Sequence, residues 1–183
     1  MSKIVYFIRH GQSEANLANT IAGSQIDSPL TDLGKQQAME TAAKVSEVAF
    51  DLAVSSPLSR AKDTACIILN ELNLDHLQVN QQTAFTERDA KEYTGTDTSE
   101  YFKLVESGMY SGESPQAMRE RVLRGLRWLN DQSFECALVA THNGTIRAIS
   151  TIVDKLPPED FSKVPVLQNG ETLKVDLSKL DLI

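Results

Sequence analysis

The sequence predicts an α/β fold with a largely parallel sheet, and three observations carry that prediction. Short apolar runs rich in strand formers alternate along the chain with longer stretches whose apolar residues recur at helical spacing. The short runs are continuous rather than alternating, as in strands covered on both faces. Several of the longer stretches open on helix-start signals.

Residues 3–8 form the first such run. Thr31 is placed to cap a helix in which Ala38, Ala42, Val45 and Ala49 share one face. Leu52-Ala53-Val54 reads as a second buried strand. Ser56-Pro57 then reads as a cap followed by Pro at the first helical position, with Leu58, Ala61, Ala65, Ile68, Leu69 and Leu72 as the apolar stripe. Leu77 to Val79 suggests a short strand. Residues 83–112 are polar and irregular, with a helix near 98–107. Ser114-Pro115 repeats the cap-and-Pro signal, and Met118, Val122, Leu126 and Leu129 follow at helical spacing. Cys136 to Ala140 is another strand. Ile146, Ile149 and Val153 mark a further helix, 154–169 reads as loop, and 171–177 as a last strand.

The composition narrows the function. The chain has 183 residues, which suits one domain over 1–183, and no repeat or linker divides it. A formal net charge of −7 argues against nucleic-acid and anionic-membrane binding, both of which need a basic face. Cys66 and Cys136 read as two reduced core residues, with no zinc-like spacing. The only apolar run near the start, Ile4 to Ile8, is too short for a signal peptide or a membrane span, so cytoplasmic residence is the expectation.

In open α/β sheets, ligands bind beyond the carboxyl ends of the strands. Arg9-His10-Gly11, Ser55-Ser56 and Thr141-His142-Asn143-Gly144 each follow a strand, so three polar turns should meet at one sheet edge. They bring two histidines, Arg9 and Arg60, and helix N-termini together. Arginine forks and helix N-termini suit phosphate or carboxylate oxygens, and histidine can act as nucleophile, acid or base. His76, in a polar stretch, reads as solvated and idle.

Ile8-Arg9-His10-Gly11-Gln12-Ser13 with Asn16 resembles the signature of the histidine phosphatase superfamily, the phosphoglycerate mutase-like group. The likeness continues in order through Gly23 to Gln37, Ser55 to Ala65, Phe85-Thr86-Glu87, Gly112-Glu113-Ser114 with Arg121-Val122, Thr141 to Gly144, and Asn169. The resemblance implies a three-layer α/β/α domain in which His10 is the nucleophile. Arg9, Arg60 and His142 would hold the phosphoryl oxygens, with Asn16 and the backbone at Asn143 adding hydrogen bonds. Glu87 would be the general acid for the leaving oxygen and then the base for water. Ser13, Gly23 and Arg88 are further substrate-binding candidates, Arg88 toward a substrate carboxylate or second phosphate. Where the family often shows Gly four residues after the acid and a later Glu-Gly pair, this chain has Lys91 and Thr94-Gly95, which bears on the substrate.

Cationic side chains at the oxygens make a metal unnecessary, and neither a metal nor another cofactor is expected. The implied activity is hydrolysis of a small phosphate monoester through a phosphohistidine. Mutase-type phosphotransfer is the alternative, set back by the short interval from Glu87 to His142 and the short tail. A non-catalytic phospho-ligand module fits less well, because His10, Arg60 and His142 are all present. A homodimer is left open.

Overall fold

A computed structural model describes residues 2–107 and 109–182. The elements in order are β1 (Ile4–Arg9), α1 (Glu14–Leu17), α2 (Asp32–Lys44), β2 (Leu52–Ser55), α3 (Ser59–Glu71), β3 (Val79–Gln81), α4 (Thr98–Glu106), α5 (Pro115–Asp131), β4 (Cys136–Thr141), α6 (Asn143–Val153) and β5 (Thr172–Asp176). The five strands form one sheet in the order β3-β2-β4-β1-β5. All pairs are parallel except β1 with β5. This is the expected α/β architecture with a largely parallel sheet.

Alternate residues of β1, β2 and β4 feed two cores. Val5, Phe7, Ala137, Val139 and Val175 pack on one face against α5 and α6 through Val122, Leu126, Leu129, Ile146 and Ile149. Ile8, Leu138, Ala140 and Ala53 pack on the other against α2 and α3 through Ala38, Ala42, Ala61, Ala65 and Ile68. The small alanines on α2 and α3 let those helices sit close to the sheet.

Register explains why the polar turns meet. Arg9 pairs with Thr141, and Ser55 pairs with Ala140. Parallel strands in that register end at one level, so His10, Ser56 and His142 leave the sheet side by side.

The caps at Thr31 and Ser114 form as expected, accepting from Gly34 N at 3.0 Å and Ala117 N at 3.1 Å. Other boundaries differ. α2 stops at Lys44 with Val45 as its C-cap, so Ala49 is not on its face. Ser56 does not cap α3, which starts at Ser59 after Leu58. The Ser56 amide instead extends the strand by donating to Ala140 O, and its hydroxyl meets His142. β3 lies at 79–81 rather than 77–79, because Val79 is the residue that registers with Ala53. A short 3-10 helix, Pro158–Lys163, interrupts the stretch read as loop. α1 was not anticipated; a reciprocal capping box between Ser13 and Asn16 stabilises it. Of the two cysteines, Cys66 is exposed and Cys136 half-buried, and neither is disulfide-bonded. Cys66 falls outside the α3 stripe of Ala61, Ala65, Ile68 and Leu69. Gly108, within the stretch read as polar and irregular, lies outside the described residues.

One close approach fixes the turn after β1. A methyl on Gly11 would lie 2.1 Å from Gly34 O, and one on Gly34 would lie 2.0 Å from Gln12 O. Only glycine at both positions lets the His10 turn press against the start of α2.

Candidate active site

His10 closes β1. Its amide donates to Thr141 O at 2.9 Å and its carbonyl accepts from Asn169 Nδ2 at 2.8 Å. The ring Nδ1 lies 2.7 Å from Gly11 O. A carbonyl only accepts, so Nδ1 carries the proton and Nε2 keeps a free lone pair. His142, the N-cap residue of α6, is fully buried, and the two rings stand edge to face with centroids 5.0 Å apart. His142 Nε2 lies 2.8 Å from Ser56 Oγ, while its Nδ1 is buried without a partner.

Arg60 is buried and held by backbone carbonyls: Nη1 donates to Ile26 O at 3.0 Å and Nη2 to Gly23 O at 2.9 Å. Gly23 presents that carbonyl from a left-handed conformation, φ +54°. Thr64 Oγ1 donates to Arg60 O and accepts from Gly11 N, tying α3 to the His10 turn. Arg9 Nη1 donates to Leu167 O, and its Nε is buried without a partner. Neither arginine makes a salt bridge among the described residues.

Glu87 reaches the same place from the loop after β3. Its Oε1 accepts from Arg88 N at 2.7 Å and its Oε2 from Gly144 N at 3.2 Å, at the start of α6. A methyl on Gly144 would lie 2.2 Å from Glu87 Oε1, so glycine there makes room for the carboxylate. A strut holds the loop. Arg121 grips Glu113 with a two-pronged contact, Nε to Oε1 at 2.8 Å and Nη2 to Oε2 at 2.7 Å. The same guanidinium donates to Ala84 O and Thr86 O. The Glu113 carbonyl accepts from Arg88 Nε at 2.7 Å.

These groups border a cavity of about 400 Å³. Arg9, His10, Arg60, Glu87 and Asn143 are on its wall, as are Ser13, Asn16, Gly23 and Arg88. The structure thus brings the anticipated set together, with His142 just behind the surface. Contributions differ within the set. The Ser13 hydroxyl is occupied in capping α1, and Gly23 acts through its carbonyl. Asn16 Oδ1 accepts from Ser13 N, leaving Nδ2 as the free donor. Asn143 Oδ1 is buried without a partner. His76, by contrast, is exposed and remote.

Arg147 was missed by sequence reasoning. It projects from α6 into the cavity, donates from Nε to Val164 O at 3.0 Å, and lies over the Phe161 ring at 4.6 Å. Arg88 flanks the same ring at 5.3 Å and stacks on Tyr110 at 4.2 Å. Neither has an acidic partner in a salt bridge among the described residues. The signal was present: Arg147 lies one turn beyond Asn143 and Gly144, so it returns to the cavity side of the helix. Around these cations the wall is apolar, with Ile21, Phe102, Val105 and Val166. Lys91 adopts φ +48°, the left-handed region that a glycine holds without strain.

Burial, reinforced by the positive charge of Arg60, drives the His10 and His142 pKa values well below the ordinary imidazole value. Burial also lowers Arg9 and Arg60, opposed by the Glu87 carboxylate. Both imidazoles are therefore neutral beside two guanidiniums.

A family profile described as the histidine phosphatase superfamily (branch 1) matches residues 5–180, and the chain belongs to that superfamily. The 2,3-bisphosphoglycerate-dependent phosphoglycerate mutase of Nitrobacter hamburgensis is 31% identical over 203 positions, covering 98% of each chain. The uncharacterized phosphatase PhoE of Bacillus subtilis is 33% identical over 158 positions, 85% of this chain and 79% of its own. The fold matches that of mycobacterial glucosyl-3-phosphoglycerate phosphatase complexed with VO3, with TM-score 0.83 and 23% identity over 94% of this chain and 92% of that one. No helix among the described residues is long and apolar enough to cross a membrane.

Neutral buried histidines have a consequence for stability. Unfolded, both titrate near ~6.5. Below that value the unfolded chain takes up protons that the native state refuses, so stability falls as pH falls, with a slope approaching ~1.4 kcal/mol per pH unit per histidine. Urea unfolding from about pH 7.5 to about 5.5 should show this loss, and His10→Gln should remove one histidine's share of the slope. Identical slopes in the two proteins would mean that native His10 is protonated.

Proposed function

We propose that the protein is a phosphomonoesterase that transfers the phosphoryl group to His10 Nε2 and then to water. The observation that carries this reading is the His10 ring: neutral, with Nδ1 tied to Gly11 O, and with the lone pair of Nε2 left on a cavity wall shared with buried Arg60 and half-buried Arg9. A phosphate monoester is a dianion that repels anionic nucleophiles and attracts that cationic wall. A neutral imidazole attacks without repulsion. Arg9, Arg60, Asn16 Nδ2, the Asn143 backbone and His142 receive the oxygens. Arginine charge supplies what a metal ion supplies elsewhere, so no metal is required. Rapid quenching with a labelled monoester should trap a phosphoenzyme stable to base and lost in acid, absent in His10→Ala. Inorganic phosphate should be released, and 2- and 3-phosphoglycerate should not interconvert even with the bisphosphate primer. A base-labile adduct would overturn the nucleophile.

In this reading Glu87 is the proton donor to the leaving oxygen, a role supported by the two backbone amides that hold it on the cavity wall. A positioned acid contributes roughly 10²–10⁴-fold for a poor leaving group and little for an aryl oxide. Glu87→Gln should therefore slow alkyl phosphates far more than aryl phosphates. Equal losses would move the role to another acid.

Mutase action is the second reading, supported by the name of the Nitrobacter relative. That alignment runs over 203 positions against the 183 residues here, so the relative carries residues that this chain lacks. A mutase must keep water from the phosphohistidine until the second hydroxyl attacks. From Glu87 to His142 this chain has α4, α5 and β4 and, before α4, the irregular stretch 88–97, little from which to build a lid. Efficient interconversion with little phosphate release would favour this second reading.

Arg88 and Arg147, with no salt bridge to an acid among the described residues, fit a substrate with a second anionic group, a carboxylate or another phosphate. In a panel of monoesters with and without that group, Arg147→Met should raise KM by roughly 10-fold or more only for those that have it. A uniform rise would assign Arg147 to packing on Phe161 alone.

A further inference from the structure

We propose that Ser56 is a positioning residue whose hydroxyl donates to His142 Nε2, fixing the His142 proton on Nδ1. Three facts lead there. Both side chains are fully buried, and Ser56 Oγ lies 2.8 Å from His142 Nε2. The Leu58 amide donates to the same Oγ at 3.3 Å, so the oxygen already accepts one bond and its own hydrogen remains to be placed. Among the described residues the only acceptor for that hydrogen is His142 Nε2. If Nε2 carried the proton instead, the serine hydrogen would be buried unsatisfied, at a cost that folded proteins avoid. The neighbouring Ser55 shows that burial alone does not create the link, since its hydroxyl has no partner.

The consequence lies on the far side of the ring. His142 Nδ1 is buried and has no protein partner. With the proton there, it is an unpaired donor on a ring that stands edge to face with His10, centroids 5.0 Å apart. Without it, the same nitrogen presents a lone pair to phosphoryl oxygens and repels them. Because burial keeps His142 neutral, the tautomer decides the sign of the interaction, and Ser56 sets the tautomer. The bond also reaches across the sheet edge, since Ser56 follows β2 and His142 follows β4.

The role of the Nδ1 proton rests on the phosphoryl-transfer reading, but the tautomer does not, and the two can be tested apart. The chain has three histidines, so ¹⁵N-histidine labelling gives three imidazole spin systems in long-range ¹H–¹⁵N correlation. Exposed His76 is an internal reference, and His10→Gln identifies the His10 signals. Native His142 should be protonated on Nδ1. Ser56→Ala should move it toward the Nε2-protonated form or a mixture, and Ser56→Cys, a weaker donor of similar size, should fall between. With any hydrolysed monoester, Ser56→Ala should lower kcat by roughly 10- to 100-fold with a smaller change in KM, less than the roughly 10²–10³-fold of deleting an oxyanion donor outright, because the ring itself remains. Native His142 protonated on Nε2 would overturn the proposal, even if Ser56→Ala fails to fold. So would an unchanged tautomer in a folded Ser56→Ala. Absence of any hydrolysis would instead refute the phosphatase reading and leave the tautomer result standing.

Discussion

The site depends on keeping two guanidiniums in a water-poor place without giving either a carboxylate in salt-bridge contact. Isolated buried charge is expensive, and proteins ordinarily neutralise it by pairing. Here backbone carbonyls do the holding: Gly23 and Ile26 for Arg60, Leu167 for Arg9. These dipoles accept from Arg9 Nη1 and both Arg60 Nη groups without cancelling the charge, so a surplus of positive potential remains, with Arg9 Nε still unpartnered. The same surplus, added to burial, keeps both imidazoles neutral. Gly23 in its left-handed conformation and the contact of Gly11 with Gly34 are conditions for that arrangement.

Glu87, the one acid among the described residues on the cavity wall, is governed from a distance. Its loop hangs from Arg121, which bonds Ala84 O, Thr86 O and both oxygens of Glu113. Thr141 Oγ1 donates to Phe85 O and Thr145 Oγ1 to Thr86 O, so β4 and α6 fasten the same segment. The carboxylate is thereby registered against Gly144 and His142, which leave that same strand and helix. A set of contacts that never reaches the cavity fixes where an acid can stand within it.

Much of this was legible in the sequence because it follows from local chemistry. The apolar run of β1, the Thr31 and Ser114 caps and the turns at Arg9-His10, Arg60 and His142-Asn143 all express short-range rules. The departures arise where a distant partner outweighs a local preference. Ser56 looks like a cap from its neighbour Pro57, but Ala140 and His142 claim its amide and hydroxyl. Arg147 looks like one more helical arginine until Phe161 and Val164 close over it from the far end of the chain. Cys66 reads as core because its neighbours are apolar, although the helix turns it outward. The capping box that makes α1 involves only Ser13 and Asn16 and was open to a closer reading.

Strand order also sets a timetable. β1 is made first, yet it pairs only with β4 and β5, so Ile4 must wait for Cys136 and Asp176. At roughly 5–20 residues per second, a nascent chain spends on the order of 10 s with its first strand unpaired. Until then the apolar segment that leads into His10 is exposed, and neither Thr141 nor Asn169 has arrived to hold it. The candidate site cannot be assembled piecemeal as the chain emerges: it closes only when nearly the whole chain is available. A topology so rich in distant pairings favours slow folding and gives chaperones an early target.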